Sequence, residues 1–181
     1  RKIVDAPCGN GIISYWIKKK LENVQFELFD LSEESVEIAR RFIPNANIVC
    51  KDVFDVETKN RTGDVWLFIN SLYCFQDGKM LVEKYKERMR YVIGVFPYID
   101  HQNYRCFFHK NPHFINYCEM DRIETIRLFH KQGYDLLYEK TLTHIPYYCY
   151  SFRGRLKLFN IIDRYFIDKP GAYWVSLFKR K

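Results

Sequence analysis

The sequence lacks the features typical of membrane, secreted and zinc-binding proteins. None of its apolar runs is long enough to span a membrane, and no signal peptide is recognisable. Its six cysteines form neither a CxxC pair nor a Cys/His zinc pattern. We therefore expect reduced, mostly buried thiols in a cytoplasmic protein, and neither a disulfide framework nor a metal site.

Acidic residues are outnumbered by basic ones. The 181 residues include 29 Lys and Arg against 22 Asp and Glu, which gives a formal net charge of +7. This balance favours an anionic partner, such as nucleic acid, a phosphorylated metabolite or an acidic lipid surface, although solubility alone explains it equally well. A hydrophobic fraction of 48% is enough for one domain with a buried core.

Strand-like and helix-like segments alternate along the chain. Apolar runs predict strands at 2–6, 24–29, 46–50, 65–69, 91–96, 136–142 and 172–178. This βαβ repetition predicts an α/β fold with a doubly wound, mostly parallel seven-stranded sheet and helices on both faces. Four helices are predicted between the strands. The first is indicated by Ile12, Ile13, Trp16, Ile17 and Leu21, the second runs from its cap at Ser32 to Pro44, and the third is indicated by Leu81, Tyr85 and Met89. The fourth begins at Asp121, buries Ile123, Ile126 and Phe129, and ends before Gly133.

Two stretches interrupt this alternation, at 97–118 and 145–170. Both follow predicted strand ends, and both are rich in Tyr, Phe, Arg and Lys. We interpret residues 1–181 as a single domain in which these insertions form a substrate-side lid. The mixed basic and apolar segment 152–166 leaves two alternatives open, an amphipathic helix on anionic lipid and a basic surface for RNA.

An acidic residue closes or follows each of the first three predicted strands: Asp5, Asp30 and Asp52. In an open α/β sheet the ligand lies beyond the carboxyl ends of the strands, where such side chains meet. The second acid can accept both hydroxyls of a ribose, and the third can accept from an adenine amine while Val53 packs on the ring. Glycines in the first turn let the main chain approach a ligand closely. The pattern predicts a pocket for an adenosine.

The spacing in the first turn excludes two other nucleotide ligands. A dinucleotide fold requires GxGxxG, but Ser14 stands where the third glycine would fall, and a Walker loop is absent. The carboxylate of Asp5, inside the turn, would repel a phosphate and suit a cationic amine. The expected ligand is therefore an adenosine that carries an amine.

Four motifs resemble those of the class I S-adenosylmethionine-dependent methyltransferases. DAPCGNG is similar to the family's motif I, FDLSEESVEIAR to its acidic second motif, KDVFD to its adenine motif, and LFINSLYCF to the fourth motif, which faces the transferred methyl. The resemblance covers residues 2–96 well and residues 119–181 in topology. It implies S-adenosylmethionine as cofactor and an antiparallel last strand. Two features depart from the family: Pro7 stands where a glycine is common, and the N-terminal helix that often covers the cofactor is missing.

The resemblance implies a role for each matching residue. Asp5 would orient the amino acid end of the cofactor, Asp30 would bind the ribose hydroxyls, and Leu31 would lie against the adenine. Asn70 and Ser71 would stand near the methionyl group or the substrate. The residues expected to bind the cofactor are Asp5, Ala6, Cys8, Gly9, Gly11, Asp30, Leu31, Asp52, Val53, Asn70 and Ser71.

Methyl transfer to a hydroxyl or ammonium group also requires a base, since the acceptor must lose a proton. Tyr73, His101 and His144 are the candidate catalytic residues, because they fall near the fourth strand's end or in or beside the insertions. Residues 70–73, Asn-Ser-Leu-Tyr, lack the prolines of the NPPY motif found in enzymes that methylate amino groups on bases. We interpret them as an ordinary loop.

The leading hypothesis is a methyltransferase that acts on an O or N atom of a small-molecule acceptor. The charge keeps a nucleic-acid partner open, and with it the alternative of an RNA (tRNA or rRNA) or protein methyltransferase. A further alternative is a non-catalytic S-adenosylmethionine-binding module. A membrane surface is the less favoured partner, and the sequence leaves the oligomeric state open.

Overall fold

The structure, a computed structural model, describes residues 1–55, 63–69, 71–72, 78–97, 122–143 and 173–181. The strands in these ranges are β1 (Lys2–Asp5), β2 (Gln25–Asp30), β3 (Asn47–Cys50), β4 (Gly63–Ile69), β5 (Met89–Pro97), β6 (Tyr134–Thr143) and β7 (Tyr173–Arg180). The α-helices are α1 (Ile12–Lys20), α2 (Glu33–Phe42), α3 (Gly78–Tyr85) and α4 (Arg122–Lys131). Short 3₁₀ turns lie at Val53–Asp55 and Lys86–Arg88.

The seven strands form one sheet in the order β3-β2-β1-β4-β5-β7-β6. β1 to β5 pair in parallel, whereas β7 pairs antiparallel with both β5 and β6. Six strands therefore run in one direction and β7 runs in the other. The chain builds outward from β1 to β3 and then returns to place β4 on the other side of β1. This reversal creates the crevice where open α/β sheets bind ligands, and the predicted fold is confirmed.

Helices cover both faces of the sheet, and each face has its own core. On one face α2 packs against β2, with Ala39 and Leu28 fully buried. On the other face α3 and α4 supply Tyr85 and Phe129, and the Tyr85 ring lies 4.8 Å from that of Trp66. Because the sheet is buried on both sides, the ends of its strands are the places left for a ligand.

The predicted start and end of α2 and the predicted end of α4 are confirmed. The Ser35 amide donates to the Ser32 hydroxyl at 3.2 Å, which caps α2. α2 ends at Phe42, two residues before Pro44, and Gly133, with a φ of +85°, follows α4. The predicted cap at Asp121 lies outside the described residues, as do residues 98–118 and 145–170 of the two insertions.

Two predictions about helix positions are wrong. Met89 does not extend the third helix: α3 ends at Tyr85, and Met89 is the first residue of β5, where it is fully buried. Ile123 is not part of the buried face of α4, since 52% of it is exposed. Thr125 and Phe129, one helical turn apart, face the core instead.

α1 is confirmed as a helix, but most of the apolar residues that predict it lie outside the core. Ile13 is 42% exposed and Trp16 is 58% exposed, whereas Ser14 is completely buried. The Ser14 hydroxyl donates to Asp5 at the end of β1, and this hydrogen bond holds the polar side of the helix against the sheet. This buried polar contact, together with the packing of Tyr15 and Ile17 against the core, therefore holds α1 on the sheet.

Within the part of the chain that the structure describes, no helix has both the length and the apolar character needed to cross a lipid bilayer.

Candidate functional site

The loop between β1 and α1 is held in shape by main-chain hydrogen bonds. The Cys8 amide donates to the Phe29 carbonyl of β2 at 2.8 Å, and the Gly11 amide donates to the Cys8 carbonyl at 3.0 Å. Gly9 and Gly11 have φ values of +52° and +73°, in the left-handed region that favours glycine. These contacts fix the loop at the carboxyl ends of β1 and β2.

The two glycines of this loop have different surroundings. A Cβ atom at Gly11 would lie 2.9 Å from the Cβ of Ala39 and 3.3 Å from the Cδ2 of Leu28. A Cβ atom at Gly9 would meet nothing within 4 Å. Gly11 is therefore needed for packing against α2, whereas Gly9 leaves its main chain open to an approaching ligand.

We expect Gly11→Ala to reduce mainly stability and Gly9→Ala to reduce mainly ligand binding. Gly11→Ala should lower the free energy of unfolding by about 2–4 kcal/mol, because strain at positive φ adds to the clash with Ala39. Gly9→Ala should cost only about 1–2 kcal/mol but weaken binding of S-adenosylhomocysteine, the demethylated form of the expected cofactor. Chemical denaturation and calorimetric titration measure the two effects. Equal destabilisation by the two variants would contradict this assignment.

Asp5 ends β1 beneath the loop and is only 2% exposed. The Ser14 hydroxyl donates to its Oδ2 atom at 2.6 Å. Burial raises the pKa of Asp5 to about 7; the hydrogen bond from Ser14 opposes this rise, and the charge of Asp30 adds to it. Near neutral pH the carboxyl group is therefore only partly ionised, and a neighbouring cation would hold it in the ionised form.

Asp30 ends β2, and each of its carboxylate oxygens accepts one main-chain hydrogen bond. The Gly9 amide donates to Oδ2 at 2.7 Å and the Ser32 amide donates to Oδ1 at 3.0 Å. A carboxylate offers about four acceptor positions, so two remain for a ligand. Asp30 thus links the glycine loop to the start of α2 and can still bind two hydroxyl groups.

Asp52, the third acidic residue of the site, follows β3. Its Oδ1 atom accepts the Phe54 amide at 2.8 Å, which stabilises the turn that begins at Val53. Val53 is 5% exposed, and its carbonyl accepts a hydrogen bond from the Tyr85 hydroxyl of α3. The apolar side chain of Val53 is therefore fixed beside a carboxylate, which is the arrangement that the sequence predicts for an adenine pocket.

Two cavities adjoin these three acids. The first has a volume of about 240 Å³, and the described residues that line it are Asp5, Pro7, Cys8, Gly9, Ile13, Asp30, Ile69 and Ser71. The second has a volume of about 220 Å³, and it is lined by Pro7, Phe29, Asp30, Leu31, Lys51, Asp52, Val53 and Phe54. Pro7 and Asp30 belong to both cavities. Together the cavities reach the size of a small-ligand pocket, roughly 300–1,000 Å³.

Most of the described residues that the sequence assigns to the cofactor line these cavities. Ala6 and Gly11 are exceptions, because both are buried and line neither cavity. Asn70, Tyr73, His101 and His144 lie outside the described residues, so their roles stay predictions.

Several residues that line the cavities were not predicted from the sequence. Phe29, Lys51 and Phe54 each stand next to an assigned residue in sequence, so adjacency would have found them. Ile69 likewise precedes an assigned residue, Asn70, whereas Ile13 carries no such signal, since its place in the first cavity depends on how α1 meets the loop.

Two polar groups test whether the first cavity suits a ligand with an amino acid end. The Ser71 hydroxyl is buried and has no hydrogen-bond partner among the described residues, so a polar ligand atom would satisfy it. Burial, and next the charge of Asp5, raise the pKa of the Cys8 thiol. Cys8 therefore stays protonated at neutral pH and lines the cavity without acting as a nucleophile.

Comparison with known proteins identifies the fold and the domain. Residues 3–91 match the model of a methyltransferase domain, whereas no curated protein matches the sequence. The plantazolicin methyltransferase BpumL in complex with SAH (S-adenosylhomocysteine) has 16% identity and a TM-score of 0.68, covering 99% of this chain and 76% of that one. The mitomycin 7-O-methyltransferase MmcR has 14% identity and a TM-score of 0.71 over 99% of this chain. This chain spans about half of MmcR, 49% of its length.

A third solved structure with the same fold is StiE O-MT residues 942–1257, with 13% identity and a TM-score of 0.64, covering 100% of this chain and 68% of that one. The match to the methyltransferase-domain model runs from β1 to the start of β5, a segment that contains every described residue lining the two cavities. Sequence match, sheet order and site location agree. Residues 3–91 therefore match a methyltransferase domain, and the chain shares its fold with solved methyltransferases.

Proposed function

We propose that this chain transfers the methyl group of S-adenosylmethionine to an O or N atom of a small-molecule acceptor. The observation that carries the proposal is the pair of cavities that meet at Asp30. One cavity offers a buried carboxyl group and an unpaired hydroxyl, and the other offers an apolar wall with a carboxylate. A nucleoside joined to an amino acid fits these two neighbouring cavities, with the amino acid end in the first and the base in the second.

The roles proposed for the residues follow from their positions. Asp30 binds the ribose hydroxyls with its two remaining acceptor positions, midway between the cavities. Asp52 and Val53 bind the adenine in the second cavity, against Leu31. Asp5 faces the ammonium of the amino acid end from the first cavity, where burial strengthens their attraction.

S-adenosylmethionine supplies a methyl group that is already bonded to a good leaving group. The chain contributes orientation, which can supply roughly 7–11 kcal/mol of the barrier when the reacting groups are well aligned. The rigid loop at Gly9 and the fixed carboxylate of Asp30 serve this purpose. We keep Tyr73, His101 and His144 as the candidate bases for the acceptor proton.

The small-molecule acceptor is supported by the solved structures with this fold. One is named for plantazolicin and was solved with desmethylPZN analogues, and another is named for mitomycin. The alternative of an RNA or protein methyltransferase is supported by the formal charge of +7. Binding to tRNA that weakens steeply as salt rises would favour that alternative.

Transfer of a labelled methyl group distinguishes these functions. The chain should be incubated with labelled S-adenosylmethionine and, in parallel, with hydroxyl- or amine-bearing small molecules, with tRNA and with protein. We expect label only in the first set. Label in tRNA or protein would establish the alternative, and S-adenosylhomocysteine binding without transfer to any acceptor would indicate a non-catalytic module.

We also propose that residues 97–118 and 145–170 form the acceptor-side lid. Replacing Tyr147 and Tyr148 together by alanine should lower kcat/KM for the acceptor by about tenfold or more, because a misplaced acceptor reacts slowly. The affinity for S-adenosylhomocysteine should not change. Tyr138→Ala, at an exposed tyrosine of β6, is the control. Unchanged acceptor turnover in the Tyr147/Tyr148 variant would overturn the lid.

A cytoplasmic location is proposed from the cysteines. Cys8 and Cys50 are unpaired thiols among the described residues. Free thiols of this kind are typical of reducing compartments. Localisation of a tagged chain in cells would test the proposal, and secretion would contradict it.

A further inference from the structure

A second concave surface lies at the opposite edge of the sheet from the two cavities. It has a volume of about 750 Å³ and is formed where β1, β2, β4 and β5 begin and β7 ends. We call it the amino-edge groove. β4, seven residues long, separates it from the methyl-transfer site by about 20 Å. The basic residues that line it are Arg1, Lys2, Arg88, Arg90, Lys179, Arg180 and Lys181.

Among the described residues that line the amino-edge groove, only Asp64 and Glu87 are acidic. Glu87 forms an ion pair with Arg180, and Asp64 accepts the main-chain amide of Lys2 at 3.1 Å. Beyond the groove, Glu27 pairs with the Lys2 side chain at 2.6 Å and Asp135 pairs with Lys181 at 3.3 Å. The acids near the groove are therefore already engaged.

Four basic residues of the groove have no ion-pair partner in the described parts of the chain: Arg1, Arg88, Arg90 and Lys179. Among these four residues, Arg88 gives the clearest indication that a hydrogen-bond acceptor is missing. Its Nη1 atom is buried and has no hydrogen-bond partner among the described residues. A buried guanidinium nitrogen without an acceptor costs free energy, which an anion in the groove would recover.

The lining indicates which kind of anion fits. None of the described lining residues is aromatic, so the groove offers no surface on which nucleic acid bases could stack. Its concave shape and its unpaired Arg side chains suit a compact group of oxyanions, because guanidinium groups bind phosphate oxygens in a bidentate manner. We propose that the amino-edge groove binds a compact ligand that carries several adjacent phosphate groups.

The proposal is independent of methyl transfer, since the groove shares no lining residue with the two cavities. Titration with sodium tripolyphosphate at low ionic strength tests it. We expect saturable one-to-one binding that weakens as salt rises, with no change in affinity for S-adenosylhomocysteine. The variant Arg88→Gln/Arg90→Gln should bind tripolyphosphate at least about tenfold more weakly.

Three further measurements keep the test decisive. Arg90→Gln/Lys179→Gln removes two exposed groove cations and should also weaken binding, even if the half-buried Arg88 proves necessary for folding. Lys20→Gln/Lys131→Gln removes the same charge at exposed positions elsewhere and should leave binding unchanged. Equal loss in this control, or no saturable binding by the wild-type chain, would overturn the proposal. Tighter binding of a short duplex RNA, lost in the groove variants, would overturn it in favour of nucleic acid.

Discussion

Replacing Asp30 by alanine is expected to weaken S-adenosylhomocysteine binding by about 100-fold or more. In our proposal the carboxylate accepts two ribose hydroxyls, and each hydrogen bond to a charged group contributes about 1.5–3 kcal/mol. The substitution also removes the acceptor of the Gly9 amide, which fixes the loop above the first cavity. Isothermal titration of the folded variant measures the loss.

Two controls separate binding from folding in this experiment. Asp30→Asn keeps one side-chain oxygen that can still accept from Gly9, so we expect an intermediate loss of about tenfold. Glu37→Ala removes the same charge from an exposed position of α2 and should have no effect. If Asp30→Ala bound S-adenosylhomocysteine as tightly as Glu37→Ala does, the ribose contact would be refuted.

The sequence was sufficient to predict the sheet and the acids of the site. The end of a strand can be predicted because an apolar run stops at a polar residue. Parallel strands bring their carboxyl ends to one edge of the sheet. Asp5, Asp30 and Asp52 stand at that edge in the structure, where they line the two cavities. The alternation of elements predicts parallel pairing, whereas the order of the strands is seen only in the structure.

The orientation of α1 could not be predicted from its apolar residues. Ile13 and Trp16 recur at helical spacing, yet both are exposed, because Ser14 faces Asp5 while Tyr15 and Ile17 pack against the core. Periodicity reports which residues share a face of a helix, but it does not identify a polar residue that meets the sheet. Only the fold shows that Ile13 consequently lines the first cavity.

Met89 illustrates a different limit. It continues the spacing of Leu81 and Tyr85, but a short 3₁₀ turn intervenes and the residue begins β5 instead. Its side chain is fully buried in either interpretation, so burial alone could not distinguish a helix end from a strand start. That Pro7 lines both cavities could not be predicted from the sequence either, since it depends on how closely two loops approach each other.

The second large effect concerns pH. The ionisation of Asp5 is expected to make the ligand-free protein less stable as pH rises from about 4 to about 7. Burial raises the pKa of Asp5 from 3.8 to about 7 in the folded chain. Between these values the unfolded chain has lost this proton and the folded chain retains it, so raising the pH favours unfolding. The full difference corresponds to about 4 kcal/mol.

Denaturation of the wild-type chain and of Asp5→Asn at several pH values isolates this contribution. Other carboxyl groups change stability in both proteins alike, so the difference between the two proteins reports on Asp5 alone. Asp5→Asn should gain stability relative to the wild type as pH rises, by up to about 4 kcal/mol. Asp135→Asn, at an exposed position of β6, should show no such trend.

The same carboxyl group should make cofactor binding depend on pH in the opposite direction. The ammonium of S-adenosylmethionine favours the ionised form of Asp5, so the affinity should rise about tenfold between about pH 5.5 and about pH 7. An α-amino group stays mostly protonated over this range, so the change reports on the protein. Asp5→Asn should bind more weakly at pH 7, with an affinity that no longer varies. A wild-type affinity that stays constant over this interval would show that Asp5 does not face the ammonium.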